Sequence, residues 1–222
     1  MFFYEPLQRF DLKRCDAESG RTYITPFGEQ YPSVTNVLRQ MLDKSALDAW
    51  KKRVGRKRAA AIADAAARHG TTMHSLLEGH LLNEDAPLDL MPDKMIAFRF
   101  LRQVVDRHVG TVYGVELPLW SDYLRSAGTT DALLEWDGEK SVLDLKNMSS
   151  TRSKSNAEVH GHFLQATAYA MMAYERYRIK FTQAVILLAN GFEEPLIMRS
   201  PIKEHVREVY DIFRRYSSCA YA

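Results

Sequence analysis

The chain has 222 residues, with 30 lysines and arginines against 28 aspartates and glutamates, and its formal net charge of +2 does not by itself indicate nucleic-acid binding. One domain with a substantial core fits this length, and a composition of 46% apolar and 26% charged residues, without any run of about 18 apolar residues, predicts no membrane span. Cys15 and Cys219 are too few for a disulfide framework or a four-cysteine zinc or iron-sulfur centre, so we expect a protein of a reducing cytoplasm.

The first 30 residues predict short strands or a hairpin, with the turn at DAESG, residues 16–20. The aromatic N-terminus lacks the basic segment and the long apolar stretch of a signal peptide, so we expect no leader. Ser33 follows Pro32 and predicts the N-cap of a helix, because its hydroxyl can accept a hydrogen bond from an amide of the first turn.

Residues 45–108 predict a succession of helices. Gly55 interrupts the first of them, and the alanine-rich helix that follows is expected to end at Gly70, since glycine favours the position after a helix C-terminus. Thr71 or Thr72 would then cap the next helix. The sequence therefore predicts separate helices on the two sides of Gly70.

Residues 50–58, WKKRVGRKR, place six basic residues beside a tryptophan. Such a run predicts a surface that follows a phosphate backbone and offers a ring for base stacking. The alternative is a solvated helix face. The side chains assigned to this nucleic-acid surface are Trp50, Lys51, Lys52, Arg53, Arg56, Lys57, Arg58 and, further along the chain, Lys154.

After a helix that ends near Gly110, alternation predicts a strand over residues 111–121 and then a hairpin. Its turn is Asp137-Gly138, because these residues tolerate the positive φ values of a two-residue type I′ turn. Counting outwards from the turn pairs Asp131 with Asp144. Lys146 shares the face of Asp144, and the opposite, apolar face carries Ala132, Leu134, Leu143 and Leu145.

The pairing of Asp131 with Asp144 has an electrostatic cost. Directly opposite carboxylates repel by roughly 1 to 4 kcal/mol, depending on the local dielectric. A divalent cation reverses the sign, since converging carboxylate oxygens are what Mg²⁺ or Mn²⁺ binds, and Lys146 could hold an incoming anion beside it. The alternative is a half-buried hairpin whose polar face is solvated.

The remainder of the chain predicts a helix over 162–177, a buried strand over 182–190, a strand over 193–200 and a last helix capped by Ser200, with Pro201 in its first turn. The expected core stripe of that helix is Ile202, Val206, Val209, Phe213 and Tyr216. A strand, a helix and a strand across 140–189 imply two parallel strands. The predicted fold class is α/β, with a mixed central sheet flanked by helices and an N-terminal helical insertion.

The order of several short motifs resembles a known family. Gly-Thr-x-Asp, a hairpin, Asp-x-Lys and a helix with Gln-x-x-x-Tyr follow one another, after PSVTNVL, a tryptophan and Gly-Thr-x-x-His. The residues concerned are Pro32 to Leu38, Trp50, Gly70, Thr71, His74, Gly128, Thr129, Asp131, Asp144, Lys146, Gln165 and Tyr169. Over roughly residues 31–190 this order resembles the RecB-like exonuclease branch of the PD-(D/E)XK nuclease superfamily, and it is similar to mitochondrial genome maintenance exonucleases and small phage exonucleases. Asn147 departs from the Thr or Ser usual after the lysine.

The resemblance implies a restriction-endonuclease-like core and a magnesium- or manganese-dependent deoxyribonuclease with one or two ions. It assigns Asp131, Asp144 and the Leu145 carbonyl as metal ligands, and Lys146 as the group that orients or deprotonates the attacking water. The residues to which it gives supporting roles at the active site are His74 (second metal or phosphate), Glu116 (metal through water, or support of the hairpin), Gln165 and Tyr169 (positioning of the lysine or the backbone). The two cysteines cannot supply the iron-sulfur cluster of some relatives.

The resemblance also implies one nuclease domain over residues 1–222, with 40–108 as a helical insertion or arch and 111–216 as the catalytic core. We expect an exonuclease that acts on single-stranded or frayed DNA ends in the cytoplasm of a bacterial cell or a phage-infected host, without a membrane partner. The alternatives are a structure-specific or duplex-cutting endonuclease on the same core, and a non-catalytic nucleic-acid-binding module.

Overall fold

A computed structural model describes residues 1–18, 20–42, 52–87, 89–147, 156–189 and 193–220. Its strands are β1 Phe3–Tyr4, β2 Lys13–Ala17, β3 Gly20–Ile24, β4 Gln30–Pro32, β5 Val109–Ser121, β6 Ser126–Trp136, β7 Glu139–Asn147, β8 Gln183–Ala189 and β9 Leu196–Pro201. Its helices are α1 Val34–Met41, α2 Arg56–Leu81, α3 Pro92–His108, α4 Asn156–Tyr177 and α5 Val206–Ala220, with a 3₁₀ turn at Ile202–Glu204.

A six-stranded sheet in the order β1-β5-β6-β7-β8-β9 forms the centre of the fold. β7 and β8 pair in parallel, as do β1 and β5, whereas the pairs β5-β6, β6-β7 and β8-β9 are antiparallel. Helices α1, α4 and α5 cover one face, and α2 and α3 cover the other. The α/β class, the mixed sheet, the parallel pair and the helices placed before β5 confirm the fold predicted from the sequence.

The β6-β7 hairpin has the predicted turn and register. Asp137 and Gly138 have φ values of 52° and 79°, as a type I′ turn requires. Trp136 pairs with Glu139, and the ladder continues to the pair of Ala132 with Leu143. This turn fixes which side chains share a face, because a shift of one residue would exchange the two faces of the hairpin.

The face of the hairpin that carries the charges is more buried than the sequence indicated. Leu133 and Val142 lie on the same face as Asp131 and Asp144 and are fully buried under α4, in the same cluster as Leu164. The predicted apolar face is confirmed, since Ala132, Leu134, Leu143 and Leu145 lie together in the cluster under α2 and α3. The alternative of a solvated polar face is wrong, because that face is buried too. The parallel pairing of β7 with β8 requires a crossover, and the crossover helix covers this face.

Helix α2 runs without interruption from Arg56 to Leu81, so the predicted end at Gly70 and the caps at Thr71 or Thr72 are wrong. The glycine serves close packing. A Cβ at Gly70 would lie 2.8 Å from Nδ2 of Asn147, at the end of β7. Gly70 is therefore explained by the close contact between α2 and β7, and not by the end of a helix.

The last two helices begin elsewhere than predicted. α4 starts at Asn156, inside a segment expected to be loop, and α5 starts at Val206. Ser200 belongs to β9, and its hydroxyl lies 2.7 Å from Nε2 of His205 instead of capping a helix. Val206 is exposed, and Ile212 joins Val209 and Phe213 in the core of α5.

Strands β2, β3 and β4 form a separate small sheet that leads into α1. The predicted turn between β2 and β3 is confirmed, and Ser33 caps α1 by accepting a hydrogen bond from the Asn36 amide at 3.1 Å. A Cβ at Gly20 would lie 2.3 Å from Nδ2 of Asn36, so the hairpin packs tightly on α1. Tyr23 is buried with Trp120 of β5, which ties this sheet to the main one.

Two further predictions concern the whole chain. None of the helices within the described residues is both long and apolar enough to cross a membrane. Cys15, which is half-buried, and Cys219, which is exposed, are both free thiols.

Candidate active site

Three carboxylates lie at neighbouring positions on adjacent strands. Glu116 of β5 sits between the pairs Val115–Ala132 and Leu117–Thr130, and so lies opposite Asp131 of β6. On the other side of β6, the β6-β7 ladder ends at the pair of Ala132 with Leu143, one step before Asp131 and Asp144. Beyond it, the amide of Leu145 donates to Oδ2 of Asp131 at 2.7 Å. The Asp131 carboxylate thus accepts the Leu145 amide hydrogen bond in place of a backbone carbonyl.

Glu116 has an unusual backbone. Its φ of 44° lies in the left-handed region, which non-glycine residues rarely adopt within a strand. The alternation of β5 breaks at this point, since Val115 packs into the cluster under α2 and α3 while Leu117 packs into the opposite one. Such strain costs on the order of 1 to 3 kcal/mol and is characteristic of functional sites.

Glu116, Asp131 and His74 together form a potential metal-ligating group. One ligand atom from each residue lies within 4.8 Å of the others. Nδ1 of His74, on α2, is 3.4 Å from Oδ1 of Asp131. Burial raises the pKa of Glu116 to about 7, and the negative charge of Asp131 adds to this shift. Excess negative charge is therefore concentrated where the three strands meet α2.

Asp144 lies behind this group and is almost completely buried. Its Oδ1 accepts hydrogen bonds from Nζ of Lys146 at 2.6 Å and from Nε2 of Gln165 at 3.2 Å. Its Oδ2 is buried and has no hydrogen-bond partner among the residues that the structure describes. A buried carboxylate oxygen without a partner is costly, so this atom is suited to an additional ligand.

The charges in the site shift one another's pKa values. Burial raises the pKa of Asp144, and the charge of Lys146 offsets that rise only in part. Burial would lower the pKa of Lys146, but the charges of Asp144 and Asp131 outweigh it and the net shift is upward. Burial would likewise raise the pKa of Asp131, yet the hydrogen bond and charge of His74 turn the shift downward. For His74, the same contact with Asp131 outweighs burial and raises the pKa.

Tyr169 and Gln165 lie one turn apart on α4 and both face the site. The ring of Tyr169 is buried against Gly128 of β6, where an added Cβ would be 2.6 Å from the tyrosine hydroxyl. Burial raises the pKa of this hydroxyl well above its ordinary value, so it stays protonated. The glycine of the Gly-Thr-x-Asp motif is thus required by the approach of α4 to β6.

A cavity of about 660 Å³ opens over these residues. Four parts of the fold contribute to its wall: the β2-β3 hairpin, helix α2, the central strands and helix α4. The polar side chains that define it include Arg14, Arg21, His74, Glu116, Asp131 and Gln165. Asp144 is more deeply buried than Asp131, with 3% of its side chain exposed against 14%.

The donor set fits a hard divalent cation. Carboxylate oxygens from Glu116, Asp131 and Asp144 are the ligands that Mg²⁺ or Mn²⁺ prefers, and the imidazole nitrogen of His74 is a ligand better suited to a transition metal such as Mn²⁺ than to Mg²⁺. The buried Oδ2 of Asp144 and the raised pKa of Glu116 both fit a bound cation, because a positive charge would stabilise the ionised form of either carboxylate. The Leu145 carbonyl remains a predicted ligand.

The predicted nucleic-acid surface is only partly described. Trp50, Lys51 and Lys154 lie outside the described residues. Arg56 begins α2, and the exposed side chains on either side of it are Lys52, Arg53, Lys57 and Arg58. The side chains of Lys52, Arg53, Lys57 and Arg58 do not line the cavity.

Sequence reasoning missed the cationic wall of the cavity. Arg14 and Arg21 come from the small N-terminal sheet, and Tyr23 lies beside them. No local motif marks these residues, because they reach the carboxylates only through the packing of that sheet on α1 and β5.

Comparison with protein-family models gives no match, and comparison with curated proteins gives none either. Among solved structures, the crystal structure named "Putative exonuclease" from Eubacterium rectale matches with 13% sequence identity and a TM-score of 0.44. The match covers 68% of this chain and 65% of that chain, which is slightly less than two thirds of the other protein.

Proposed function

We propose that this protein is a metal-dependent nuclease that hydrolyses phosphodiester bonds in DNA. The observation that carries the proposal is the row of Glu116, Asp131 and Asp144 across three adjacent strands, with Lys146 bonded to the innermost acid. Acids so close together, one of them with an unpartnered buried oxygen, are explained by a ligand of opposite charge. The cavity above them is where a phosphate would enter.

Asp131, Asp144, Glu116 and His74 would hold one or two magnesium or manganese ions, with the Leu145 carbonyl as a further ligand. A bound divalent ion supplies Lewis-acid chemistry, since it neutralises charge on a phosphoryl oxygen and lowers the pKa of a bound water.

Lys146 contributes a buried positive charge. The carboxylates raise its pKa, so the amine carries its proton in the pair with Asp144. This charge state favours stabilisation of an anionic phosphate over removal of a proton from water. Gln165 holds the other side of the Asp144 carboxylate and thereby positions the pair, while Tyr169 fixes α4 against β6.

A single strand with a free end is the substrate we propose. Helix α2 supplies His74, Ser75 and Glu78 to the cavity wall, so part of the 40–108 insertion borders the site as an arch would. A strand that must pass beside this helix is more easily accommodated than a duplex. The domain would then be one nuclease unit with its core in 111–216. An endonuclease on the same core is the second candidate, and it differs only in tolerating a substrate without ends.

The test uses end-labelled single-stranded and duplex DNA, circular single-stranded DNA and a matching RNA, each with Mg²⁺, Mn²⁺ or EDTA. We expect linear single strands to be shortened from an end, no cleavage in EDTA, and a rate lower by at least about 100-fold in Asp131→Asn and Lys146→Ala. Asp89→Asn, at an exposed position outside the cavity, is the matched control.

Cleavage of the circle would favour the endonuclease. Unchanged cleavage by both site variants, with thermal unfolding showing that they are folded, would refute the proposal. Loss of cleavage in the Asp89 variant as well would mean that the assay does not report on the site.

A further inference from the structure

The β2-β3 hairpin presents two arginines to the cavity that contains the acids. Arg14 pairs across the hairpin with Tyr23, and Asp16 pairs with Arg21. Because cross-strand partners share a face and residues two apart on a strand do so too, all four side chains lie on one face of the hairpin. Arg14, Arg21 and Tyr23 line the cavity.

Asp16 accepts a hydrogen bond from Nε of each arginine. Nε of Arg14 is 2.8 Å from Oδ2, and Nε of Arg21 is 3.1 Å from Oδ1. The hydrogen bonds from the two guanidinium groups lower the pKa of Asp16, so it stays ionised. Both bonds to Asp16 use Nε, and Arg21 also forms a side-chain hydrogen bond with Tyr23. The remaining terminal N–H groups of the two arginines can donate to another acceptor, and Arg14, Arg21 and Asp16 together carry one net positive charge.

The hairpin is held in place by contacts that favour a prearranged site. Gly20 lies against Asn36 of α1 so closely that no Cβ would fit. Tyr23 is buried with Trp120, and Ser33, which also lines the cavity, forms a bridge with Ala127 of β6. The arginines therefore stand on a small sheet anchored at three points, and binding does not require ordering of a loop.

The chemistry of the cavity indicates what the arginines bind. Its other wall is acidic, with Glu78, Glu116 and Asp131, so an anion would be repelled unless a separate cationic surface held it. Planar guanidinium groups donate paired hydrogen bonds that match the oxygens of a phosphate. A nucleic-acid strand offers successive phosphates, so that one can lie at the acids while a neighbour lies at the arginines.

We propose that Arg14 and Arg21, held by Asp16, form a binding site for a strand phosphate next to the one that is cleaved. The substrate class rests on the proposed nuclease function, whereas the cationic site rests on the geometry of the hairpin. Because the two arginines would contact a phosphate and not a base, binding at this site would be independent of base sequence.

The test measures binding without catalysis. Fluorescence anisotropy of a labelled single-stranded oligonucleotide is recorded in EDTA over a range of salt concentrations, for the unmodified protein and for Arg14→Gln/Arg21→Gln. We expect about 10-fold weaker binding and a salt slope that is smaller by about 0.7 to 1.4, the value for one or two lost phosphate contacts on a single strand.

The control is Arg102→Gln/Arg107→Gln on α3. These arginines are also exposed and also paired with carboxylates, of Asp106 and Glu194, and the pair removes the same net charge. An equal loss of affinity in the two double variants would overturn the proposal, because general charge would then explain the effect. Arg14→Lys/Arg21→Lys retains the charge and is expected to keep the salt slope while losing part of the affinity.

A second measurement identifies the ligand atoms. In a series of oligonucleotides, one neutral methylphosphonate linkage is placed at successive positions. The unmodified protein should bind less tightly when the neutral linkage lies at one or two of these positions. Arg14→Gln/Arg21→Gln should bind those same oligonucleotides as tightly as it binds the fully charged one. An oligonucleotide with and without a terminal phosphate distinguishes a backbone phosphate from an end. An effect confined to the terminal phosphate, or a positional pattern identical in both proteins, would contradict the proposal.

Cleavage kinetics separate this inference from the function on which it builds. If the proposed nuclease function is right, Arg14→Gln/Arg21→Gln should raise KM by about 10-fold with little change in kcat. If the unmodified protein cleaves nothing, the nuclease proposal fails, yet the binding comparison still decides whether the arginines hold a phosphate. If cleavage requires Asp131 and Lys146 but KM is unchanged in the arginine variant, only the arginine site is refuted.

Discussion

Two carboxylates in the site, Asp144 and Glu116, lie in surroundings that disfavour their ionised forms. Asp144 is buried with one oxygen unsatisfied, and Glu116 combines a positive φ with a raised pKa. Each of these two features lowers the stability of the folded protein. Such destabilising features are typical of residues that serve binding or catalysis. The amine of Lys146 is bonded to Asp144, and its charge also favours the ionised form of Asp131.

Glu116 gives a prediction for the pH dependence of stability. Its pKa of about 7 in the folded protein lies above the ordinary 4.5, so the folded state binds this proton more tightly than the unfolded chain. Its contribution is therefore fully present below about pH 4.5 and is lost as the pH rises through about 7. Because the residue is partly exposed, we expect a loss of about 1 to 2 kcal/mol.

The measurement is urea unfolding in EDTA at several pH values between 5 and 8. The free energy of unfolding of the unmodified protein should fall relative to that of Glu116→Gln over this range, since the amide does not titrate. Glu18→Gln, at an exposed position on the small sheet, should leave the pH dependence unchanged. A constant difference between the unmodified protein and Glu116→Gln would show that the pKa of Glu116 is not raised.

Two close contacts between a helix and the main sheet occur at glycines. Gly70 of α2 lies against Asn147 of β7, and Gly128 of β6 lies against Tyr169 of α4. Both glycines have helical or strand neighbours on each side, and neither ends its element. Their place in the sequence motifs reflects how closely a helix approaches the sheet, which sets the position of His74 and Gln165.

Gly128→Ala is predicted to be destabilising. The new Cβ would lie 2.6 Å from the Tyr169 hydroxyl and 2.9 Å from its ring, so the tyrosine or the strand must move, at a cost of about 1 to 3 kcal/mol. The free energy of unfolding, measured with urea, checks this. Tyr169→Phe removes the nearest atom and should reduce the cost of Gly128→Ala in a double-mutant cycle.

Gly79→Ala is the matched control for this substitution. At that position of α2 the nearest atom to an added Cβ is 3.4 Å away, and alanine in a helix interior is favoured over glycine by up to about 1 kcal/mol. We therefore expect the two substitutions to change stability in opposite directions. Equal effects would mean that the contact between α4 and β6 is looser than described.

At the scale of the whole molecule, the sheet brings together groups from distant parts of the chain. The carboxylates come from three consecutive strands, the imidazole from α2, and the arginines from a separate small sheet. Apolar clusters on both faces of the main sheet hold these parts in register. Binding of a cation at the centre should therefore stabilise the entire fold.

Thermal unfolding with Mn²⁺ tests this expectation. A ligand at 100 times its Kd that binds only the folded state adds about 2.7 kcal/mol, which for a protein of this size raises Tm by roughly 5 to 10 °C. Asp131→Asn/Asp144→Asn should abolish the rise, whereas Asp89→Asn should preserve it. A rise of the same size in the double variant would place the bound ion elsewhere.

Sequence reasoning anticipated the parts of the site that depend on local geometry. Asp137-Gly138 fixed the register of the hairpin, and the alternation of strand side chains then placed Lys146 beside Asp144. It failed at Gly70 and Ser200, where local signals for a helix end and a helix cap are outweighed by packing of α2 on β7 and by the continuation of β9. Their true roles depend on residues far away in the chain.

The fold class, the hairpin and the grouping of acids with a lysine follow from local sequence patterns, because turn chemistry and alternation act over a few residues. The burial of both faces of the hairpin, the place of Glu116 opposite Asp131, and the presence of Arg14 and Arg21 in the same cavity are seen only in the folded chain. The position of Glu116 depends on the register shifts of β5 against β6. The burial of the hairpin depends on the packing of helices on both faces of the sheet, and the position of the arginines depends on the docking of a second sheet. The free energy that selects these arrangements comes from apolar contacts between different elements, which no local pattern records.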